Sequence, residues 1–157
     1  MTNHVEKVTQ IINRYGANKD SLISMLQDIQ AVYRYLPEDA LRIVANELRL
    51  PLIQVYAVAT FFKAFTLQPR GKHLVTVCLG TACHVRGARA VLDEVKRHIG
   101  IEPGVTTGDM QFTLETVNCL GACALGPIVV IDGKYHGQMS PRRVKTTLKV
   151  YRNKPTK

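Results

Sequence analysis

The sequence predicts an α/β protein, with an N-terminal helical bundle followed by a small α/β domain built on a mixed sheet. Three observations carry this. Apolar residues recur at helical spacing through residues 1–68, and no glycine stands between Gly16 and Gly71. Pro69-Arg70-Gly71-Lys72 then breaks the pattern and reads as a linker. Beyond it, short β-branched runs alternate with a helical stretch and close on a two-residue hairpin signal, Asp132-Gly133.

The elements follow in order. Val5, Val8, Ile11, Ile12 and Tyr15 mark a first helix stopped at Gly16. Leu22, Ile23, Leu26, Ile29 and Val32 mark a second, with Asp20 or Ser21 available as its cap. Pro37 suits the first turn of a third helix, with Glu38 and Asp39 at its positive end and Leu41, Val44, Ala45 and Leu48 on its apolar face. Pro51 restarts a fourth through Val55, Val58, Ala59 and Phe62. After the linker, residues 73–78 form a short buried strand. Residues 82–98 read as one helix, and 112–117 as an alternating strand. Ile128–Ile131 and Lys134–His136 form the hairpin, and Ser140-Pro141 opens a last helix through Val144, Leu148 and Tyr151. A strand–helix–strand start implies a parallel pair with a right-handed crossover. The hairpin and closing helix complete a sandwich of thioredoxin-like type. Two domains are therefore expected, 1–68 and 73–157.

Composition fits this picture. The 157 residues are 46% apolar and 21% charged, normal for a globular chain. No apolar run approaches the roughly 20 residues that span a bilayer. Residues 1–7 lack the pattern of a signal peptide. No membrane insertion and a cytoplasmic location are expected. The net charge of +9 is uneven: residues 1–72 carry nine Lys/Arg against six Asp/Glu, residues 73–157 twelve against six. From Arg142 onward there are seven basic residues and no acid. Such a tail suits an acidic partner, either a protein surface or nucleic acid, or is a solvated helix face.

Four cysteines in a reducing compartment point to metal or redox chemistry rather than disulfides. They fall as Cys78-x4-Cys83 and Cys119-x3-Cys123, with 35 residues between the pairs. Each pair follows a predicted strand. If those strands are neighbours, both pairs leave one edge and four thiolates converge, as a 2Fe–2S cluster requires. Gly80, Thr81, Gly121, Gly126 and Pro127 surround them, and small residues let backbone N–H groups approach sulfur. Cys83 falls near a helix start, where the dipole favours a thiolate. Arg86 and Arg89 add positive charge nearby or lie on a solvated face. The alternatives are a four-thiolate zinc site, two disulfides and four unrelated core cysteines; the C-x-x-C of a dithiol oxidoreductase is absent. His84 is adjacent to Cys83 but not needed as a ligand, and His4, His73, His98 and His136 show no metal spacing.

At these residues the chain resembles a known family. Cys78-Leu-Gly-Thr-Ala-Cys83-His-Val-Arg-Gly-Ala and Cys119-Leu-Gly-Ala-Cys123-Ala-Leu-Gly-Pro are similar to the cluster motifs of the thioredoxin-like ferredoxin subunit of NuoE/HndA/HydC type. Leu36-Pro37-Glu38 and residues 55–62 resemble its helical signatures, and the likeness runs from about His4 to Tyr151. The resemblance implies one 2Fe–2S cluster on Cys78, Cys83, Cys119 and Cys123. It also implies an electron-transfer subunit with no substrate-binding catalytic site of its own. FMN and NAD(P) would sit in a partner flavoprotein only, within a hetero-oligomeric complex that holds further iron–sulfur subunits. The Gly-Thr-Ala-Cys-His-Val-Arg-Gly string resembles the branch of NAD(P)-linked or electron-bifurcating hydrogenases more than that of respiratory complex I, and the equivalent subunit of an NAD-dependent formate dehydrogenase is a further alternative. The sequence itself agrees that no nucleotide is held here: it has no glycine-rich phosphate loop after a strand.

Two readings from other classes stand beside this. Residues 37–65 form a possible helix-turn-helix in a chain of pI near 9.6, as in a metal-containing DNA-binding regulator. Its second helix offers only Gln54, Tyr56 and Thr60 as polar readers, so nucleic acid is not the expected partner. A free-standing ferredoxin-like carrier is the other, although such carriers are usually acidic.

Overall fold

The computed structural model describes residues 2–152, with side chains from Val5 onward. Lys154 and Lys157 of the basic run, Met1 and the His4 side chain lie outside the described residues. The chain divides into two compact units, one ending at Pro69 and the other beginning at Arg70.

The first unit is helical. It comprises α1 (Thr2–Arg14), a 3-10 turn (Lys19–Ser21), α2 (Leu22–Tyr33), α3 (Glu38–Glu47) and α4 (Leu52–Phe61). Val8, Ile12, Met25, Leu26, Ile29, Leu41 and Val44 are fully buried together and form its core. The cap of α2 differs from expectation. Neither Asp20 nor Ser21 caps it by side chain; Asn18 instead accepts from the Asp20 N–H at 3.0 Å and caps the 3-10 turn that leads into it. Pro37 and Pro51 stand just before α3 and α4, one residue earlier than the first turn, because each is extended. Gln30 ties α2 to the segment after α4, donating to the Ala64 carbonyl and accepting from the Thr66 N–H.

Helix α4 is the exception to the amphipathic rule. Only Val55 and Ala59 are buried on it, whereas Ile53 is 76% and Phe61 81% exposed. Ile53, Ala57 and Phe61 are spaced by four and lie on one outward face. Thr60 turns its hydroxyl back to the Tyr56 and Ala57 carbonyls.

The second unit is a four-stranded mixed sheet in the order β2-β1-β3-β4, from β1 (His73–Cys78), β2 (Phe112–Val117), β3 (Val129–Ile131) and β4 (Lys134–His136). β1 and β2 are parallel, and β3 is antiparallel to both β1 and β4. Helices α6 (Ala88–Ile99) and α7 (Pro141–Arg152) cover one face, burying Val91, Val95, Val144 and Leu148 against Val75, Val77, Leu114 and Ile131. The predicted single helix over 82–98 is two: α5 (Thr81–Val85) and α6, separated at Gly87, whose φ of +97° no helix accommodates. β2 does not alternate as predicted. Thr113 is buried beside Phe112 and Leu114, its hydroxyl accepting from the Gly71 N–H at 2.7 Å and meeting the Thr106 hydroxyl. Arg70–Lys72, expected as linker, is therefore bound along β2. The Lys72 N–H reaches the Met110 carbonyl, and Arg70 pairs with Glu115 at 2.8 Å.

Candidate metal centre

The parallel register aligns Cys78 with Val117, so the loops after β1 and β2 leave the same end of the sheet. Cys78 is the last residue of β1, and Cys119 lies two residues beyond β2 rather than at its end. Cys83 sits in α5, five residues long, which is too short to give it much of a macrodipole. Cys123 opens a 3-10 turn, Cys123–Leu125.

All four cysteines line one cavity of about 320 Å³ together with Thr81, Leu120 and Ile128. Cys78 and Cys83 are buried on its floor, while Cys119 and Cys123 are exposed at its mouth. None of the four is in a disulfide. Among the described residues no three His, Cys, Asp or Glu side chains close on a single ion position. The four cysteines line the cavity as one buried pair and one exposed pair. A binuclear iron–sulfur centre would take two thiolates to each of two irons.

The backbone of both loops is built around these sulfurs. Gly80 lies so close to the second loop that a Cβ there would stand 2.5 Å from the Asn118 carbonyl oxygen. A Cβ at Gly126 would stand 3.1 Å from the Cys83 sulfur. The Gly121 N–H donates to the Cys119 sulfur at 3.3 Å. Burial pushes the Cys83 thiol up, the adjacent Cys78 adds to this, and the Ile128 N–H opposes it. A metal takes such sulfurs as thiolates, so binding would release their protons.

Arg86 has a role that sequence reasoning did not assign. It is neither a free cation nor a plain solvated residue: its Nη1 donates to the Cys123 carbonyl at 2.9 Å and the Ala124 carbonyl at 3.3 Å, fastening the second loop to the first. Arg89 and His84 are exposed. Among the other histidines, His73 pairs with Asp132 at 2.6 Å and His136 with the Tyr151 hydroxyl, and neither lines the cysteine cavity.

A profile of the thioredoxin-like 2Fe–2S ferredoxin family matches residues 8–152. The NADP-reducing hydrogenase subunit HndA of Solidesulfovibrio fructosivorans is 39% identical over 145 residues, covering 92% of this chain and 85% of that protein. An NADH-quinone oxidoreductase subunit of Rickettsia bellii is 36% identical over 119 residues, covering 76% of this chain and 71% of that protein. Among solved structures, an NAD+-reducing NiFe-hydrogenase in the H2-reduced state superposes with a TM-score of 0.74 at 20% identity, over 86% of this chain and 23% of that one. That last likeness is one of fold.

Proposed function

The chain belongs to the thioredoxin-like 2Fe–2S ferredoxin family, and from that premise we propose that Cys78, Cys83, Cys119 and Cys123 hold its cluster and that it serves as the electron-transfer subunit of an NAD(P)-linked hydrogenase. The observation that supports the site is the single cavity lined by all four cysteines. When bound, a 2Fe–2S cluster takes up and returns one electron at a time. The residues of this chain set the conditions. Cys78 and Cys83 lie away from water, Cys119 and Cys123 face outward toward a donor or acceptor, and the N–H groups of Gly121 and Ile128 offset negative charge on sulfur. Flavin and nicotinamide then belong to the partner. Complex I is the second reading, supported by the Rickettsia bellii relative.

The two units divide the work in this reading: residues 1–68 dock, and residues 73–157 carry the cluster. The outward apolar face of α4, with Ile53 and Phe61, is suited to an apolar patch on the flavoprotein subunit and unsuited to reading bases. No helix among the described residues is long and apolar enough to cross a membrane. The cytoplasm, which keeps thiols reduced, is the proposed compartment.

The test is iron and acid-labile sulfide analysis of anaerobically purified protein, with EPR after dithionite reduction. About two irons and two sulfides per chain with an S = 1/2 signal are expected, and Cys→Ser at any of the four positions lowers or alters that signal. One zinc and no sulfide would overturn the reading.

A further inference from the structure

We propose that the groove between the outer edge of β4 and helix α7 binds an extended, acidic segment of a partner polypeptide. β4 is the last strand of the sheet, so one side of it is unpaired. Asp132 and Gly133, at φ +50° and +79°, make the left-handed two-residue turn of a hairpin, which sets Ile131 and Lys134 as the hydrogen-bonded pair. Val130 and Tyr135, the next pair, are then the non-bonded one, and the Tyr135 N–H and C=O point outward from the ladder. An open edge of this kind is a template for another strand.

The groove beside it has a volume of about 470 Å³. Lys134 and His136 alternate with Tyr135 and reach it from the strand, while Arg142, Thr146 and Val150, four residues apart, reach it from one stripe of α7. Its charge is one-sided: residues 134–152 contain six Lys/Arg, and no Asp or Glu occurs after Asp132. Asp132 itself is engaged, accepting from the Leu74 N–H and pairing with His73. Among the described residues no carboxylate pairs with Lys134 or Arg142. A second copy of this chain would meet the same cations, so the charge that admits an acidic strand also blocks self-pairing.

The groove is also pre-shaped and connected. Arg143 donates to the Gly137 and Gln138 carbonyls and fixes the exit of β4. The Gln138 N–H donates to the Leu125 carbonyl at 2.7 Å, and Leu125 sits against Gly137 so closely that a Cβ there would stand 2.9 Å from its own. Leu125 ends the turn that Cys123 opens. A segment seated on β4 therefore lies one step from the outward cysteine loop, where an electron partner must approach.

The probe is a fluorescein-labelled peptide of alternating Glu and Val, titrated into the intact holoprotein at low ionic strength and read by anisotropy. The control is the same peptide with its central Val replaced by Pro, which cannot donate to a strand. The Glu-Val peptide is expected to bind and to slow hydrogen exchange across residues 133–138. Lys134→Glu and Arg142→Glu, both exposed positions, are each expected to weaken it about tenfold or more, with thermal unfolding unchanged. Equal binding of the Pro peptide, or unchanged exchange at β4, would sink strand pairing. Equal binding by the two charge-reversal variants would place the contact elsewhere. Displacement of the peptide by inorganic phosphate or a short oligonucleotide, lost in the same variants, would make the groove a phosphate site and overturn the proposal.

Discussion

At the scale of single residues, the site is held together by what glycine omits and what one arginine adds. The Gly80 contact is backbone against backbone, so no rotamer change relieves it. Gly80→Ala is expected to cost about 2 kcal/mol or more by overpacking and to push the two loops apart, with lowered cluster content and a lower melting temperature by differential scanning calorimetry. The Gly126 contacts are looser, 3.1 Å to the Cys83 sulfur and 3.3 Å to the Cys123 carbonyl oxygen against 2.5 Å at Gly80, and Gly126 has an ordinary φ of −60°. Gly126→Ala is therefore the milder change, felt in the EPR g-values more than in stability; equal melting losses for the two would contradict this. The four cysteines are legible in the sequence because their spacing after two strands is a local pattern. The clamp by Arg86 is not, because it joins positions 37 residues apart and a helical position one turn beyond a cysteine reads equally well as solvated. Ile128 carries no signal at all, since any non-proline residue supplies the same N–H.

At the scale of elements, periodicity is a good guide where an element buries one face and a poor one where it does not. α1 and α3 are stripes on a surface and read as such. α4 is apolar all round, which in a globular protein marks a helix covered on all sides, yet Ile53 and Phe61 stand in solvent. In the proposed reading its cover is another chain. Ile53→Ser with Phe61→Ser is expected to leave the melting temperature nearly unchanged, since neither side chain is in the core. Capture of the flavoprotein subunit in a pull-down or by interferometry should weaken about tenfold or more, as loss of aromatic anchors does. A marked fall in stability with intact capture would return α4 to a structural role. The break between α5 and α6 is hidden for the opposite reason. Val85, Ala88, Val91 and Val95 keep helical spacing across Gly87, and only the positive φ that glycine permits shows that the chain turns there. It frees the short α5 to follow its own loop while α6 packs on the sheet.

At the scale of the whole molecule, the change of period at Pro69 separates two kinds of core, and the hydrogen bonds around it put the boundary of the second unit a little earlier than its first strand. Pro69-Arg70-Gly71-Lys72 has the composition of a linker, but composition does not report hydrogen bonds. Gly71 is held to Thr113 and Lys72 to Met110, and Arg70 meets a partly buried Glu115. A Cβ at Gly71 would stand 2.8 Å from the Phe112 carbonyl carbon, so this stretch is laid against β2 as closely as a strand. If the second unit is a domain in its own right, a chain beginning at Arg70 should fold and incorporate a cluster without the helices. A chain beginning at His73 leaves the buried Thr113 hydroxyl short of its donor and removes the Arg70–Glu115 pair. It is expected to be less stable by about 2 kcal/mol, read as a lower urea midpoint with an unchanged slope. Equal midpoints would mean that the three residues are linker after all. Failure of the longer fragment to fold, with the full chain folding under the same conditions, would mean that the helical unit is part of the cluster domain's stability and that the division of labour between docking and electron transfer does not extend to folding.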